Sequence, residues 1–194
     1  MNYLAHLYLS CENEEWLVGN FLADFLKNKE IEGLPLGIQQ GIQLHRKIDS
    51  YTDSHEIVKQ GTALLHPYHH KYAPVVLDIF YDFLLIKNWD TFHESEVQTF
   101  ANQVYEILLR HLEAMPERLH RRVLSMVSHN WLPSYGTEAG LAYTFKRVAE
   151  RLSRPDHLDG IMKTLKNHEK ELNQGFLQFF PEAVDYVKGE CACL

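Results

Sequence analysis

Apolar residues recur every three to four positions along most of this chain, and the alternation a strand needs is nowhere sustained. In "EEWLVGNFLADFLKN" (14–28), Trp16, Leu17, Phe21, Leu22, Phe25 and Leu26 form one helical stripe. "EGLPLG" (32–37) interrupts it with two glycines and Pro35. The next helix carries Ile38, Ile42 and Ile48. "HPYHHKYAP" (66–74) is a second break, and Pro74 suits the first turn of the helix after it. That helix, "VVLDIFYDFLLI" (75–86), is apolar all round except at Asp78, Asp82 and the Tyr81 hydroxyl, the pattern of a buried element. Residues 96–112, 117–131, 137–153 and 156–188 read as further helices, punctuated by Pro116, Pro133, Pro155 and Pro181. The expected fold is all-α, one domain over residues 1–194 built as a bundle of about seven helices.

A chain of 194 residues can bury one sizeable core. Its 45% apolar and 23% charged residues are ordinary for a globular protein and carry no signature of disorder. The net charge of −7 argues against nucleic acid as a partner for the whole chain, while leaving room for a local basic patch. Three cysteines, Cys11, Cys191 and Cys193, with two of them in the tail "GECACL", do not read as a disulfide framework, and no CxxC pair suggests a thiolate zinc site. The opening "MNYLAHLYLS" lacks the basic region and apolar run of a secretory leader. No window approaches the roughly 18 apolar residues of a membrane span, so a cytoplasmic protein with no membrane partner is expected.

The informative polar residues are those set among apolar ones. An ionised carboxylate buried without a partner costs several kcal/mol, so Asp78 and Asp82, four apart on the apolar helix, must be paired or bind metal. Arg46 is a candidate ion-pair partner. His45, Asp49 and Asp53 stand at i, i+4 and i+8 on one helix face, and the isoleucines draw the first two toward the apolar side. Asp24 shares a face with Asn20; an ordinary wet helix face would account for it equally well. His6 is a lone histidine among apolar residues, which taken alone is more often a core residue than a ligand. His55 could cap the helix after Asp53, His69 and His70 read as solvated loop residues, and Trp89 as core.

Two imidazoles and several carboxylates without thiolates suit a hard or borderline divalent ion, Mn²⁺ or Mg²⁺. Such an ion serves phosphoester hydrolysis by lowering the pKa of a bound water and offsetting phosphoryl charge. A carboxylate outside the ligand set would orient or deprotonate that water. No glycine-rich phosphate loop is present, which argues against nucleotide binding of that kind.

"NYLAHLYL", "GNFLADF", "GIQLHRKIDSYTDSH" and "LDIFYDFLLIKNW" resemble, in order and spacing, the bacterial acyl carrier protein phosphodiesterases. These motifs cover roughly the first ninety residues; downstream only "FLQFFPE" looks familiar. The resemblance implies hydrolysis of the phosphodiester between a serine of holo-acyl carrier protein and 4′-phosphopantetheine. It also implies a divalent metal, typically Mn²⁺, and a helical fold distantly related to HD-domain phosphohydrolases. Carried over, the critical aspartate is Asp24, the HRxID motif supplies His45, Arg46 and Asp49, the TD step supplies Asp53, and the apolar helix supplies Asp78 and Asp82. The expected ligands are therefore Asp24, His45, Asp78 and Asp82 with His6. Asp49 or Asp53 would orient a ligand imidazole, and Arg46 or Lys47 would offset phosphoryl charge. This chain lacks the adjacent His-Asp doublet of HD enzymes, so its metal site would be built from separated positions. Tyr3 and Tyr51 stand where phenylalanine is expected, a mild change.

Acyl carrier proteins are acidic, so docking on an acidic enzyme needs a local basic surface. Arg118, Arg121, Arg122, Lys146, Arg147, Arg151 and Arg154, in "ERLHRRV" and "FKRVAERLSR", are the candidates, although solvated helix faces account for such residues too. Two other readings compete. One is an HD-like phosphohydrolase acting on a small phosphate ester or nucleotide. The other is a non-catalytic helical interaction module whose buried Asp and His form only a polar network.

Overall fold

The computed structural model describes residues 1–192, so Cys193 of the tail lies outside the described residues. The chain runs through α1 (Tyr3–Tyr8), α2 (Glu14–Leu22), α3 (Asn28–Ile31), α4 (Leu36–Ser54), α5 (Glu56–His69), α6 (Ala73–Lys87) and α7 (Trp89–Phe92). It continues through α8 (Val97–Arg110), α9 (Glu117–Ser128), α10 (Trp131–Ser134), α11 (Glu138–Ala149) and α12 (Ile161–Ala192). Short 3₁₀ turns stand at Ala23–Phe25, His70–Tyr72, Leu112–Ala114 and Pro155–Leu158. The fold is all-α, as the apolar period predicts, with no strand among the described residues.

There are more helical segments than the expected seven. Helices α1, α3, α7 and α10 have only four to six residues, too few to show a period. Between α4 and α5 only His55 intervenes; its extended backbone ends one helix and its Nδ1 accepts the Ile57 N–H at 3.3 Å, capping the next. Two prolines fail to stop their helices: Pro67 lies inside α5 and Pro181 inside α12. The break at 66–74 therefore begins later than the sequence suggests. His69, expected in a solvated loop, is fully buried at the end of α5, with Nδ1 2.8 Å from the His157 carbonyl. His70, just beyond, is exposed.

One contiguous apolar core holds these elements together, and Trp89 belongs to it. Helix α6 runs through it, with Val76, Leu77, Phe80, Tyr81, Leu84 and Leu85 at 2% exposure or less. It packs against α1, α5, α11 and α12. Helices α2 and α4 meet backbone to backbone. A Cβ on Gly19 would collide with the Ile38 carbonyl oxygen, and one on Gly41 with that of Trp16. Only glycine permits this approach, which brings Asn20 on α2 against His45 on α4.

The cysteines correct the sequence reading. Cys11, in the α1–α2 connection, and Cys191, near the end of α12, form a disulfide with Cα atoms 6.2 Å apart. Their separation of 180 residues gives no local spacing signal; α12 brings them together by returning to the start of the fold.

Candidate metal centre

Helix α2 ends at Leu22, short of the stripe that suggested a helix to residue 28, and the 3₁₀ turn that follows turns Asp24 toward α4. Helix α1 contributes His6, α2 contributes Asn20, and α4 contributes His45 and Asp49. The Asp49 carboxylate joins both imidazoles: Oδ1 lies 3.1 Å from His6 Nε2 and Oδ2 lies 3.1 Å from His45 Nε2. Asp24 Oδ1 is 3.3 Å from the same His45 nitrogen. One ligand atom each from His6, His45 and Asp49 falls within 4.8 Å of the other two.

Behind the rings sits Asn20, buried at 1% exposure. Its Oδ1 is 2.9 Å from His6 Nδ1 and 3.0 Å from His45 Nδ1, and its backbone oxygen is 2.9 Å from His45 Nδ1. Its Nδ2 donates to the His6 carbonyl at 2.7 Å and to Ser10 Oγ at 3.0 Å. The sequence reading placed Asn20 on the face of Asp24 but gave it no task; one amide in an apolar stretch carries no stronger signal than that.

The electrostatics divide the two histidines. Burial pushes His6 down to about 4 against the pull of Asp49. Burial also opposes charge on His45, but Asp24 and Asp49 outweigh it and raise that ring to about 9. Asp49 and Asp24 resist burial in the same way, each held below the usual carboxylate range by the histidines beside it. His6 Nε2 is buried and, despite the 3.1 Å approach of Asp49, makes no hydrogen bond among the described residues. A buried nitrogen lone pair aimed at a carboxylate, with a second imidazole nitrogen beside it, fits a divalent cation. Two nitrogen donors favour Mn²⁺ over Mg²⁺, which prefers oxygen.

Asp78 and Asp82 do not join this cluster. Both oxygens of fully buried Asp82 are taken by α1, with Oδ2 accepting from Leu4 N–H at 2.9 Å and Oδ1 from Ala5 N–H at 3.0 Å. Burial pushes its pKa up to about 7 against those bonds. Asp78 lies 3.2 Å from the Met1 amino group, which also approaches Asp49 at 3.8 Å. Burial raises Asp78 too, with the amine opposing. The buried Asp82 and the half-buried Asp78 are thus paired, not with Arg46 but with the backbone that carries His6 and the amino group that precedes it. Arg46 is exposed and donates to Asn28 Oδ1 at 2.8 Å. Asp53 is exposed, on the rim of a separate cavity of about 470 Å³ shared with Asp78, Lys59 and His66.

Five of the seven basic residues expected to dock a partner, Arg118, Arg121, Arg122, Arg147 and Arg151, line one cavity of about 490 Å³. Lys146 is exposed and not part of its wall, and Arg154 pairs with Asp156. The cavity adjoins the His6–His45–Asp49 cluster through Phe25, next to Asp24. Arg118 donates to the Phe25 carbonyl at 3.0 Å, the Arg122 guanidinium sits 4.7 Å from its ring centroid, and Tyr3, also on the cavity wall, stacks on that ring at 5.8 Å. No helix among the described residues is long and apolar enough to cross a membrane.

A protein from Photorhabdus laumondii named acyl carrier protein phosphodiesterase is 31% identical over 191 residues, covering 98% of this chain and 96% of that one. Proteins of the same name from Escherichia coli O6:H1 and Yersinia pestis are 30% and 29% identical, covering 95% and 93% of this chain and 96% and 94% of their own. No solved structure matches. The family model described as acyl carrier protein phosphodiesterase spans residues 1–183, well past the four N-terminal motifs and over every residue of the centre and the basic cavity; the chain belongs to that family.

Proposed function

We propose that this chain hydrolyses holo-acyl carrier protein at the phosphodiester joining its serine to 4′-phosphopantetheine. The products are apo-carrier protein and free 4′-phosphopantetheine. The observation that carries this reading is the convergence of His6 Nε2, His45 Nε2 and Asp49 on one point, in a chain of this family. These three residues would hold the divalent ion, Mn²⁺ before Mg²⁺. When bound, the ion supplies acidification of a water and charge neutralisation at the phosphoryl oxygens.

The chain's own groups do the rest. Asp24 is held by His45 through one oxygen and its side chain is 48% exposed, which leaves the other oxygen in reach of a water. Its lowered pKa keeps it ionised at neutral pH, so it orients the attacking water more than it takes its proton. The water oxygen bonds to phosphorus and gives up a proton, the phosphorus–oxygen bond to serine breaks, and the serine oxygen leaves with a proton in its place, so that water's two parts are shared between the products. The arginines around Phe25 receive the carrier. Arg121 and Arg151 have no ion-pair partner among the described residues, an unusual cluster of open positive charge on a chain of net charge −7. An acidic carrier protein, in the cytoplasm, is the partner this surface fits.

Incubation with holo-carrier protein and Mn²⁺ tests the reading. Conversion to apo-carrier, seen as a gel shift with release of 4′-phosphopantetheine, is the expected result. Holo-carrier left unchanged while a small phosphate ester or nucleotide is hydrolysed would replace it with the competing phosphohydrolase reading.

A further inference from the structure

We infer that Asn20 is a positioning residue for the metal centre: its side-chain oxygen accepts the Nδ1–H of both His6 and His45 and so commits both Nε2 lone pairs to one ion. This rests on the reading of His6, His45 and Asp49 as ligands.

The argument turns on which way the amide faces. On its nitrogen side stand the His6 carbonyl at 2.7 Å and Ser10 Oγ at 3.0 Å. The Ser10 hydroxyl already donates its proton to that same carbonyl at 2.8 Å. Both neighbours therefore present lone pairs, and a flipped amide would set oxygen against oxygen. The NH₂ group must face them, and the oxygen must face the rings. A carbonyl-type oxygen has two lone pairs, and here two ring nitrogens lie 2.9 and 3.0 Å away. A neutral imidazole has one N–H. With that proton at Nδ1, Nε2 is a bare donor, which is the state a ligand needs.

The two rings are not held equally. His45 Nδ1 has a second acceptor, the Asn20 backbone oxygen at 2.9 Å, which survives any change of side chain. Among the described residues, His6 Nδ1 has only the side-chain oxygen. Loss of the amide should therefore free His6 while leaving His45 in place, an asymmetry that general loosening of the core would not produce.

Two measurements decide the matter. In the metal-free protein near neutral pH, ring ¹⁵N chemical shifts should show His6 protonated at Nδ1 and bare at Nε2; the opposite tautomer in the wild-type chain overturns the inference. Calorimetric titration with Mn²⁺ should show about 10- to 100-fold weaker affinity in Asn20→Leu, and ring ¹⁵N shifts of that variant should show His45 still protonated at Nδ1 and His6 no longer held to that tautomer. Unchanged affinity in Asn20→Leu, or loss of the Nδ1 tautomer at His45 as well as His6, overturns it as well. Wild-type protein that binds no Mn²⁺ removes the metal reading, whereas the ring tautomer still reports on Asn20 alone.

Discussion

His6 and His45 lie face to face, ring centroids 4.0 Å apart and planes 16° from parallel. Two positive rings this close in a buried site repel each other, and the pair settles on one charge. His6 stays neutral, pushed down to about 4, and His45 carries the proton, raised to about 9 between Asp24 and Asp49. A divalent ion at this site must displace that proton. Below a pKa of about 9 the proton competes more strongly as pH falls, so metal affinity rises with pH. The Mn²⁺ dissociation constant should fall about tenfold per pH unit between about 6.5 and 7.5, and calorimetry in buffers of different ionisation enthalpy should show about one proton released. A dissociation constant that does not change with pH would contradict this division of charge.

Asp24 is the half-exposed carboxylate of the group, touching His45 from the 3₁₀ turn after α2. Asp24→Asn should lower kcat by about 100-fold or more while leaving the helical circular-dichroism spectrum native. Full Mn²⁺-dependent turnover in this variant would remove Asp24 from the site.

Asp82 is fully buried and holds the first turn of α1, the helix that carries His6. Asp82→Ala leaves two backbone N–H groups unpaired, each costing about 1–3 kcal/mol, and urea denaturation should register that loss. The pH dependence has a definite sign. A carboxyl raised to about 7 in the fold, from an ordinary 3.8, binds its proton more tightly when folded. Its contribution is fully present below about pH 4 and is lost as pH rises toward 7, with a limiting slope of about 1.4 kcal/mol per pH unit. Asp82→Asn should flatten that slope relative to wild type; parallel stability profiles would show that Asp82 is ionised in the fold.

The basic cavity beside Phe25 predicts a division between binding and chemistry. Arg121→Glu with Arg122→Glu should raise KM for the carrier protein about tenfold, change kcat little, and weaken the salt dependence of KM. An unchanged KM would place the docking surface elsewhere.

The apolar period identified the long helices and the burial of α6, and the N-terminal motifs identified the family. What it could not supply was the partner of each buried polar atom. Two carboxylates on an apolar helix must be satisfied, but the sequence does not say whether by an ion, an arginine or a backbone amide. Asp82 is answered by N–H groups 77 and 78 residues away, brought to it by the packing of α1 on α6. His6 was harder still, because a lone histidine in a six-residue helix has no periodic companion. Its place follows from tertiary packing: Gly19 and Gly41 let α2 and α4 close, and the Asn20 amide meets both rings. His45 and Asp49 were legible because a single turn of α4 carries both.

The most direct measurement is anomalous diffraction from crystals grown with Mn²⁺. A peak within coordination distance of His6 Nε2, His45 Nε2 and the Asp49 carboxylate is the predicted result. No peak there, or a peak at the carboxylates of Asp53 and Asp78 instead, would contradict the assignment of the metal centre.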